Sequence, residues 1–568
     1  MQSITSSRTA SDLFKDRLLT RLSIVRQCWA NIFGAAAGSP DEASPKLGQQ
    51  DRTRKGKILF IQPKSPATFW GLELSGPYAG YRFFHPPLGL LTLAGLTPAD
   101  YDVELRDENL GFVQYPTDAD IVALTGNVVY PFQVERLKVL SEFFRGQGKL
   151  ICIGGPVASL MPECARPYCD VLLEGEGEKI WPQFLTDYEN GQVKNFYQQV
   201  EKIDMRESPI PRIDLINVHD YAIGSVQTTR GCPFTCEFCD IIVMFGRKVR
   251  TKPINQVIRE LELWADAGQQ FIMFADDNFV GNRPYVKELL REVVRFNCRR
   301  RYPVYFCAQA SIDTAKDKEL LELLRAANFF SIFVGIESPR KESLSETLKV
   351  QNVHTTDLAE AIHTIQSYGL LMAGGMIVGF DHDDKEIFEE QYDFLQRAGV
   401  PFSMMNVLTA VPKTPLYDRL KESGRIRPYS EDMVTNVQPA KMSYEELANG
   451  YVSLVKRVFS YDALLERFLT NIFYMRNHNF PHDRPRPRWR HVVGSLRTLK
   501  YYLLTDNRER RSFFFRMIWG TMKLNARALP LALRNLVSFI HLHEYAQTKV
   551  LVVEISTESA PKVPVTAP

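Results

Sequence analysis

The chain has 568 residues, of which 45% are hydrophobic and 11% aromatic, and its formal net charge is +3. That length predicts about three or four domains, and the apolar content is ample for large cores. The nine cysteines have no paired spacing, which argues against a disulfide scaffold and for a reducing compartment. The sequence contains no run of 18 or more uncharged apolar residues, so we predict no membrane span. We therefore expect a cytoplasmic protein.

The first part of the chain begins with residues 1–54, which we expect to form a flexible arm. Residues 55–205 then alternate short β-rich runs with helical patterns. The predicted strands are Lys57–Gln62, Val103–Asp107, Ile121–Thr125, Leu150–Ile153 and Val171–Glu174. Continuous apolar runs in these strands predict a parallel, doubly wound sheet that is buried on both faces. Ligands of such sheets bind beyond the carboxyl ends of the strands, where glycine-bearing turns lie.

Residues 206–425 repeat the alternation of strands and helices after a proline-rich connector. The six predicted strands are Gly224–Thr229, Phe271–Ala275, Val304–Gln309, Ser331–Gly335, Leu371–Val378 and Phe402–Leu408. Six βα units predict a partial (β/α)6 barrel, with its chemistry at the carboxyl ends of the strands. Residues 426–555 are predicted to be mostly helical, with a loop at His478–Arg490, and residues 556–568 to form a disordered tail.

The segment from Arg230 to Cys239 is the most informative in the chain. Cys232, Cys236 and Cys239 follow the first barrel strand, separated by three and then two residues. Three thiolates leave one iron of a cubane cluster open to an exogenous ligand, whereas electron-transfer clusters take four cysteines. A zinc site with His219 or another residue as the fourth ligand is the alternative. A ferredoxin-like loop would need tighter spacing and a fourth cysteine followed by proline.

The spacing Cys-x3-Cys-x2-Cys, with Phe238 before the last cysteine, resembles the cluster loop of radical S-adenosylmethionine (SAM) enzymes. The resemblance implies a [4Fe–4S] cluster on the three cysteines, with an open iron that binds SAM. Other strand ends resemble SAM-binding positions of that family, at Asp276, Gln309, Glu337, Ser338, Gly375 and Gly379. Each has an ordinary explanation when taken singly, such as helix capping or packing. Their joint occurrence at successive strand ends favours a SAM site.

The upstream domain resembles the cobalamin-binding Rossmann-like domain of one radical SAM class. The matching residues are Thr125 and Gly126, Gly154 and Gly155, and the stretch Glu174-Gly175-Glu176-Gly177-Glu178. Many such domains carry Asp-x-His-x-x-Gly, whose histidine ligates cobalt, and here Asn109 stands in the histidine position. We therefore expect that the cobalt of a bound cobalamin takes no histidine ligand from this loop. A flavodoxin-like domain that binds nothing is the alternative.

Residues 57–425 together resemble the cobalamin-dependent radical SAM methylases, and the helical remainder resembles the extension of a subgroup that includes hopanoid C-methylases. The resemblance implies methyl transfer through cobalamin to an unactivated carbon, after a radical formed from a second SAM removes hydrogen. It also implies a small-molecule substrate and a reduced ferredoxin or flavodoxin-type electron donor. Methylation or oxidative ring closure of a tetrapyrrole or other natural product, and a non-catalytic cobalamin or cluster sensor, stay open.

The C-terminal charge bears on the substrate class. Residues 484–549 hold 14 Lys and Arg against 3 Asp and Glu, so the rest of the chain carries a net charge of −8. Arginines mixed with large apolar side chains over residues 508–545 indicate an interfacial helix at an anionic membrane. A helical cap with a solvated basic face is an equal alternative, and the apolar clusters argue against a nucleic-acid surface. We expect peripheral membrane contact and a polycyclic lipid substrate, methylated at the hopanoid C-2 position.

Overall fold

The computed structural model describes residues 55–69, 71–111, 116–126, 131–427, 434–477 and 489–549. The expected N-terminal arm and the expected C-terminal tail lie outside these residues. The expected loop His478–Arg490 also lies outside them, except for its last two residues, which are helical.

The first sheet has six parallel strands in the order β2-β1-β3-β4-β5-β6. Its strands are β1 (Gly56–Gln62), β2 (Tyr101–Asp107), β3 (Ile121–Thr125), β4 (Leu150–Gly154), β5 (Val171–Glu174) and β6 (Phe196–Gln198). Its helices are α1 (Gly76–Ala79), α2 (Leu88–Leu96), α3 (Pro131–Arg145), α4 (Pro156–Leu160), α5 (Pro162–Ala165) and α6 (Gly177–Glu189). Separate apolar cores cover the two faces, one around Trp181 and one around Phe144. The predicted sheet, buried on both faces, is therefore confirmed.

The strand order creates a switch point in the first sheet. The chain leaves β1 in the interior of the sheet, crosses to β2 on one side, and then continues through β3 on the other side. Connections that diverge in this way open a cleft beyond the carboxyl ends of β1 and β3, and ligands of open α/β sheets bind there. We call this space the switch-point cleft.

The second sheet also has six parallel strands, in the order β14-β13-β12-β11-β10-β7. Its strands are β7 (Gly224–Val226), β10 (Phe271–Phe274), β11 (Tyr305–Ala310), β12 (Phe329–Glu337), β13 (Leu371–Val378) and β14 (Phe402–Val407). The accompanying helices are α7 (Ile241–Met244), α8 (Ile254–Asp266), α9 (Arg283–Cys298), α10 (Lys318–Ala326), α11 (Lys341–Glu346), α12 (Val350–Val353), α13 (Leu358–Ser367), α14 (Ile387–Ala398) and α15 (Pro415–Glu422). The predicted partial barrel of six βα units is confirmed.

The first predicted barrel strand is shorter than expected. It ends at Val226, and the chain then forms β8 (Thr229–Arg230), which pairs antiparallel with β9 (Arg250–Thr251). The carboxylate of Asp276 causes this turn, because it accepts hydrogen bonds from the backbone N–H groups of Thr228 and Thr229 at 2.6 and 3.1 Å and from both hydroxyl groups. Those backbone groups are therefore not available to the sheet.

The C-terminal region consists of α16 (Tyr444–Val458), α17 (Tyr461–Tyr474), α18 (Trp489–Leu503), α19 (Arg508–Asn525) and α20 (Leu529–Thr548). Its apolar side chains share one continuous core with the barrel, in which Phe468, Phe513 and Phe539 are buried. The helices therefore cover the barrel. None of the described helices is both long enough and apolar enough to cross a bilayer.

A buried ion-pair network joins the first sheet to the barrel. Arg230, at the end of β8, donates to Glu176 at 2.7 Å and to Glu178 at 2.9 Å, both of which follow β5. Arg250 on β9 donates to both oxygens of Glu176, at 2.8 and 2.9 Å. The side chain of Glu176 is only 1% exposed and that of Arg230 is 9% exposed. Although burial alone would raise the pKa of Glu176, the two arginines hold it below its ordinary value. We call this network the arginine clamp.

The arginine clamp predicts a stability defect in Glu176→Gln. The substitution keeps the shape but leaves two buried guanidinium groups short of a carboxylate, and breaking a buried pair costs on the order of 3 kcal/mol. We expect a lower urea midpoint, followed by circular dichroism. Asp204→Asn removes an exposed carboxylate paired with Arg206 and should leave the midpoint unchanged. Equal midpoints for the two variants would contradict this role for Glu176.

Candidate active site

The loop that carries the three cysteines starts from the β8–β9 ladder. Arg230 pairs across the ladder with Arg250, so the arginine clamp also fixes the base of the loop. The next residue, Gly231, has φ +98°, and a Cβ there would lie 2.6 Å from the carbonyl oxygen of Lys248. Only glycine fits that backbone. Asp277 accepts a hydrogen bond from the Gly231 N–H at 2.8 Å. The loop therefore leaves the barrel in one defined direction.

Each cysteine of the loop has a hydrogen-bond donor beside its sulfur. Asn278 donates to the Cys232 sulfur and the Ile241 N–H to that of Cys239. The Gln351 amide donates to the Cys236 sulfur at 3.7 Å. Burial raises the pKa of Cys232 and that of Cys239, the latter to about 12. Thiolates at these positions therefore need a positive partner, which iron would supply.

The three cysteines supply the thiol groups that a cubane cluster takes as ligands. Within the described ranges, no three His, Cys, Asp or Glu side chains are grouped closely enough to hold one ion. A cubane places its irons at separate corners, so its cysteines need not converge on one point. The amide oxygens of Asn278 and Gln351 are buried without a hydrogen-bond partner. Unpaired buried acceptors of this kind mark a place where a polar ligand fits.

A buried lysine connects the cysteine loop to the end of β12. Lys349 Nζ donates to Glu337 Oε1 at 2.6 Å and lies 5.7 Å from the centre of the Phe238 ring. Burial alone would lower the pKa of Lys349, but Glu337 raises it, and Cys236 and Cys239 act in the same direction. The lysine is therefore a cation near the sulfur atoms of Cys236 and Cys239.

Glu337 has an unusual backbone conformation. Its φ is +66°, a region that costs a residue with a side chain about 1–3 kcal/mol. A register shift in the pairing of β12 with β13 occurs at this point. Asn352 holds the strained end by donating to the carbonyls of Gly335 and Ile336 at 3.0 and 2.9 Å. The carboxylate is thereby directed to Lys349.

The other expected SAM-site residues lie at the same end of the barrel but have different environments. The carboxylate of Asp276 is occupied by Thr228 and Thr229, and it holds the turn that starts the cysteine loop. Gln309 is half-buried near the end of β11, and Ser338 is fully buried and accepts from the Arg340 N–H at 3.2 Å. A Cβ on Gly375 would contact the Phe333 ring at 3.0 Å.

Gly379 lies in the turn that follows β13. It has φ +100°, its N–H donates to Asp383 at 2.9 Å, and a Cβ would meet Leu447 at 3.2 Å. The Gly-x-Ile-x-Gly pattern therefore has two functions in the fold. Gly375 makes room beside Phe333, and Gly379 lets the chain turn after β13.

The residues expected to bind cobalamin surround the switch-point cleft. Thr125 ends β3 and Gly154 ends β4, and Gly126 and Gly155 lie in the turns that follow. Gly155 has φ +84°, and a Cβ there would lie 2.6 Å from the Thr125 hydroxyl. Gly154 and Gly155 are partly exposed, although Ile153 and Val157 on either side are buried. Gly126 is also closely packed, since a Cβ there would lie 2.5 Å from Val157.

Three further expected residues have polar contacts of their own. The Asn109 amide is occupied at both ends, because it donates to Asp107 at 2.8 Å and accepts from the Ser65 N–H at 2.9 Å. Glu174 accepts from Lys413 at 3.1 Å, a contact that links the first sheet to the segment after β14. Gly175 has φ +112° in the turn that leads to the arginine clamp.

The cysteine loop faces the switch-point cleft. Helix α7, directly after Cys239, contacts α4, directly after Gly155. All four α7 side chains, which are apolar, are only half-buried. The two groups of residues are therefore brought to one region between the sheets.

Several residues of this region were not expected from the sequence. Lys349 and Gln351 lie more than 100 residues from the cysteines in the chain, and no motif connects them to the loop. A buried charged residue beside a cysteine motif indicates a functional site, but burial cannot be read from a single sequence.

Comparisons with known proteins agree with this geometry. Residues 226–402 match the radical SAM superfamily, and residues 414–552 match a domain of unknown function, DUF4070. An uncharacterized methyltransferase of Synechocystis is 36% identical over 72% of the chain and 77% of its own length. The hopanoid C-2 methylase of Rhodopseudomonas palustris is 31% identical over 72% of the chain and 78% of its own length. The chain belongs to the radical SAM methyltransferase family.

The fold is shared with a cobalamin-dependent enzyme. The structure of the cobalamin-dependent SAM radical enzyme OxsB, with aqua-cobalamin and SAM bound, has a TM-score of 0.56 at 15% identity. It covers 89% of the chain and 82% of its own chain. The predicted architecture and the predicted enzyme class are confirmed. A radical SAM domain works with a [4Fe–4S] cluster and SAM, as the sequence predicted.

The contact of Gln351 with Cys236 predicts an effect on the cluster potential. Hydrogen bonds to cluster sulfurs stabilise the reduced, more negative state. Gln351→Met removes the donor with little change in volume and should lower the reduction potential by up to about 40 mV, since one hydrogen bond contributes about 1 kcal/mol. A redox titration followed by electron paramagnetic resonance measures the shift. Gln192→Met, at an exposed glutamine, is the control, and an unchanged potential in Gln351→Met would refute the effect.

Proposed function

We propose that this protein is a cobalamin-dependent methylase of a polycyclic lipid and that its target is the C-2 position of a hopanoid. The relative named hopanoid C-2 methylase, 31% identical over 72% of the chain, is the observation that carries the substrate. The cysteine loop opposite the switch-point cleft supports the cofactors, because a cluster site and a space for a large cofactor would then adjoin one another.

The site residues that we expect from the sequence are part of this proposal. Cys232, Cys236 and Cys239 hold the cluster. The SAM-side residues are Phe238, Asp276, Gln309, Glu337, Ser338, Gly375 and Gly379, and the cobalamin-side residues are Asn109, Thr125, Gly126, Gly154, Gly155, Glu174 and Gly175. The domain boundaries are 55–205, 206–425 and 426–555, and a ferredoxin or flavodoxin-type protein delivers the electron.

The protein residues hold and shield the chemistry in this proposal. SAM at an open iron supplies a carbon-centred radical, and cobalamin supplies a transferable methyl group. Lys349 keeps the Glu337 carboxylate in one orientation toward the SAM side. The half-buried apolar side chains of α7 keep water from the space beside the cysteines. The arginine clamp holds that space at a constant width, which suits transfer between fixed groups.

The proposed activity predicts a sharp contrast between two cysteine variants. After anaerobic reconstitution with iron, sulfide, cobalamin and a reductant, the wild type should cleave SAM and add 14 mass units to a hopanoid at C-2. Cys236→Ala should lose both activities, because a cluster with two cysteines does not hold its irons. Cys298→Ala changes an exposed thiol outside the loop and should keep both. Mass spectrometry of nucleoside and lipid products measures the outcome.

Different failures of this experiment have different meanings. Equal SAM cleavage by the wild type and Cys236→Ala would remove the radical assignment. If SAM is cleaved and a tetrapyrrole is methylated while no hopanoid is, the proposed lipid substrate is refuted. A product without an added methyl group would favour oxidative ring closure.

Membrane contact is part of the same proposal, but it involves fewer side chains than the sequence indicated. Of the apolar side chains on α19 and α20, Phe513, Phe514 and Phe539 are buried in the helical cap. Phe515 and Trp519 are 59% and 57% exposed on the outer face of α19. Most of residues 508–545 therefore form the helical cap, and the outer face of α19 is the part that we propose to contact a membrane.

The charge of the neighbouring helices favours an anionic surface. Helix α18 has three Lys and Arg and no acidic residue, and α19 has five against one Glu. On α18, Trp489 is 72% exposed, and Leu504, directly after the helix, is 77% exposed. Exposed aromatic and basic side chains on one helix are typical of binding at the lipid interface.

The proposed membrane contact predicts that the double variant Phe515→Ser/Trp519→Ser binds lipid vesicles more weakly than the wild type. In a flotation assay the wild type should bind vesicles that contain phosphatidylglycerol, and less well at high salt. The double variant loses two apolar anchors and should bind at least about tenfold more weakly. Val200→Ser removes an exposed apolar residue elsewhere and is the control. A wild type that does not bind the vesicles would restrict α18 and α19 to their structural role.

A further inference from the structure

Helix α15 contacts the cysteine loop, and the proposed function gives this helix no part. It begins directly after Thr414, whose hydroxyl accepts a hydrogen bond from the Tyr417 N–H at 3.3 Å, and Pro415 is its first residue. A capping threonine followed by proline defines where a helix begins. Residues 414–552 match the domain of unknown function, so α15 is the first helix of that domain.

The residue before the cap of α15 is attached to the first sheet. Lys413 donates to the carbonyl of Ser159 at 2.6 Å and to the carboxylate of Glu174 at 3.1 Å. Its φ is +67°, a conformation that is costly for a residue with a side chain and that persists only where its surroundings hold it. Helix α15 therefore starts from a fixed position beside the first sheet.

Glu237, the residue directly after the second cysteine of the loop, is held from two sides. Its N–H donates to the carbonyl of Thr347 at 2.9 Å, and its own carbonyl accepts from the Leu416 N–H at 3.1 Å. Arg419 donates to both oxygens of its carboxylate, at 2.6 and 3.0 Å. The side chain of Glu237 is only 10% exposed. Helix α15 therefore binds both the backbone and the side chain of the loop at this point.

The same guanidinium group also contacts the turn after β13. Arg419 donates to the carboxylate of Asp381 at 2.6 Å, and the Asp381 N–H donates to Glu346 at 2.7 Å. The preceding residue, Phe380, is buried, and its ring centre lies 6.2 Å from that of Phe238 in the cysteine loop. A guanidinium group presents its donors in a rigid plane. Arg419 therefore fixes the spacing between two carboxylates, one in the cysteine loop and one beside β13.

We propose that Arg419 is a positioning residue, which holds the cysteine loop at a fixed distance from the SAM-side residues at the end of β13. The inference rests on the proposed function, in which the loop holds the cluster and SAM binds at these strand ends. Arg419 acts through Glu237 and Asp381. Reaction between two held groups depends on their spacing, and a displacement of about 1 Å costs about 100-fold in rate. Lysine does not replace arginine here, because an ammonium group lacks the planar fork.

The test is electron–nuclear double resonance of the reduced cluster with SAM that carries carbon-13 in its methyl group. The coupling falls with the cube of the distance, so it reports how closely and how uniformly SAM is held. In Arg419→Lys we expect an unchanged iron content, a weaker and broader coupling, and a kcat for SAM cleavage about 10-fold to 100-fold lower. Arg457→Lys is the matched control, because Arg457 on α16 also donates to both oxygens of one carboxylate, that of Glu389 on α14. It should match the wild type.

A second variant, Asp381→Asn, changes the β13 end of the contact and leaves the pair of Arg419 with Glu237 in place. It should broaden the coupling in the same direction, and it alone decides the question if Arg419→Lys loses its iron. A coupling like that of the wild type in either variant would overturn the inference, as would equal broadening in Arg457→Lys. The proposed function would stand in those cases. A wild type whose reduced cluster shows no carbon-13 coupling would instead refute the proposed SAM site, and the inference with it.

Discussion

The arginine clamp is the interaction on which the rest of the site depends. Arg230 is nearly buried between Glu176 and Glu178 of the first sheet, and the next two residues of the chain are Gly231 and Cys232. One guanidinium group therefore fixes both the position of the first sheet and the start of the cysteine loop. Buried charges are costly unless they are paired with good geometry. Because Arg230 and Arg250 share one carboxylate, a change in the angle between the sheets would leave an uncompensated charge.

A second group of charges controls the other side of the loop. Lys349 lies between the Glu337 carboxylate and the sulfur atoms of Cys236 and Cys239. A cation at this place favours thiolate ligands and added negative charge on a cluster. The strained backbone of Glu337 persists because Asn352 and Lys349 hold it from two sides. Strain of this kind is typical of functional sites, and here it is located where SAM is proposed to bind.

Much of the fold was visible in the sequence, since apolar runs report burial on both faces of a parallel sheet. The first barrel strand, however, was predicted to reach Thr229 and ends at Val226. Edge strand β6, with three residues, was missed because so short a segment carries no periodicity. The β8–β9 ladder was missed because it follows from the contact of Asp276 with Thr228. The membrane prediction overestimated α19, where several of the aromatic residues point into the cap.

The sequence by itself determined the chemistry that the three cysteines allow, because their spacing within ten residues is a local property. It also determined the two sheets, because the alternation of strands and helices is local. Only the tertiary structure decided what surrounds the cysteines: Gln351 and Lys349 from more than 100 residues away, and Glu176 from beyond another sheet. Burial and hydrogen bonding between distant segments arise when the chain closes on itself, and no local pattern encodes them.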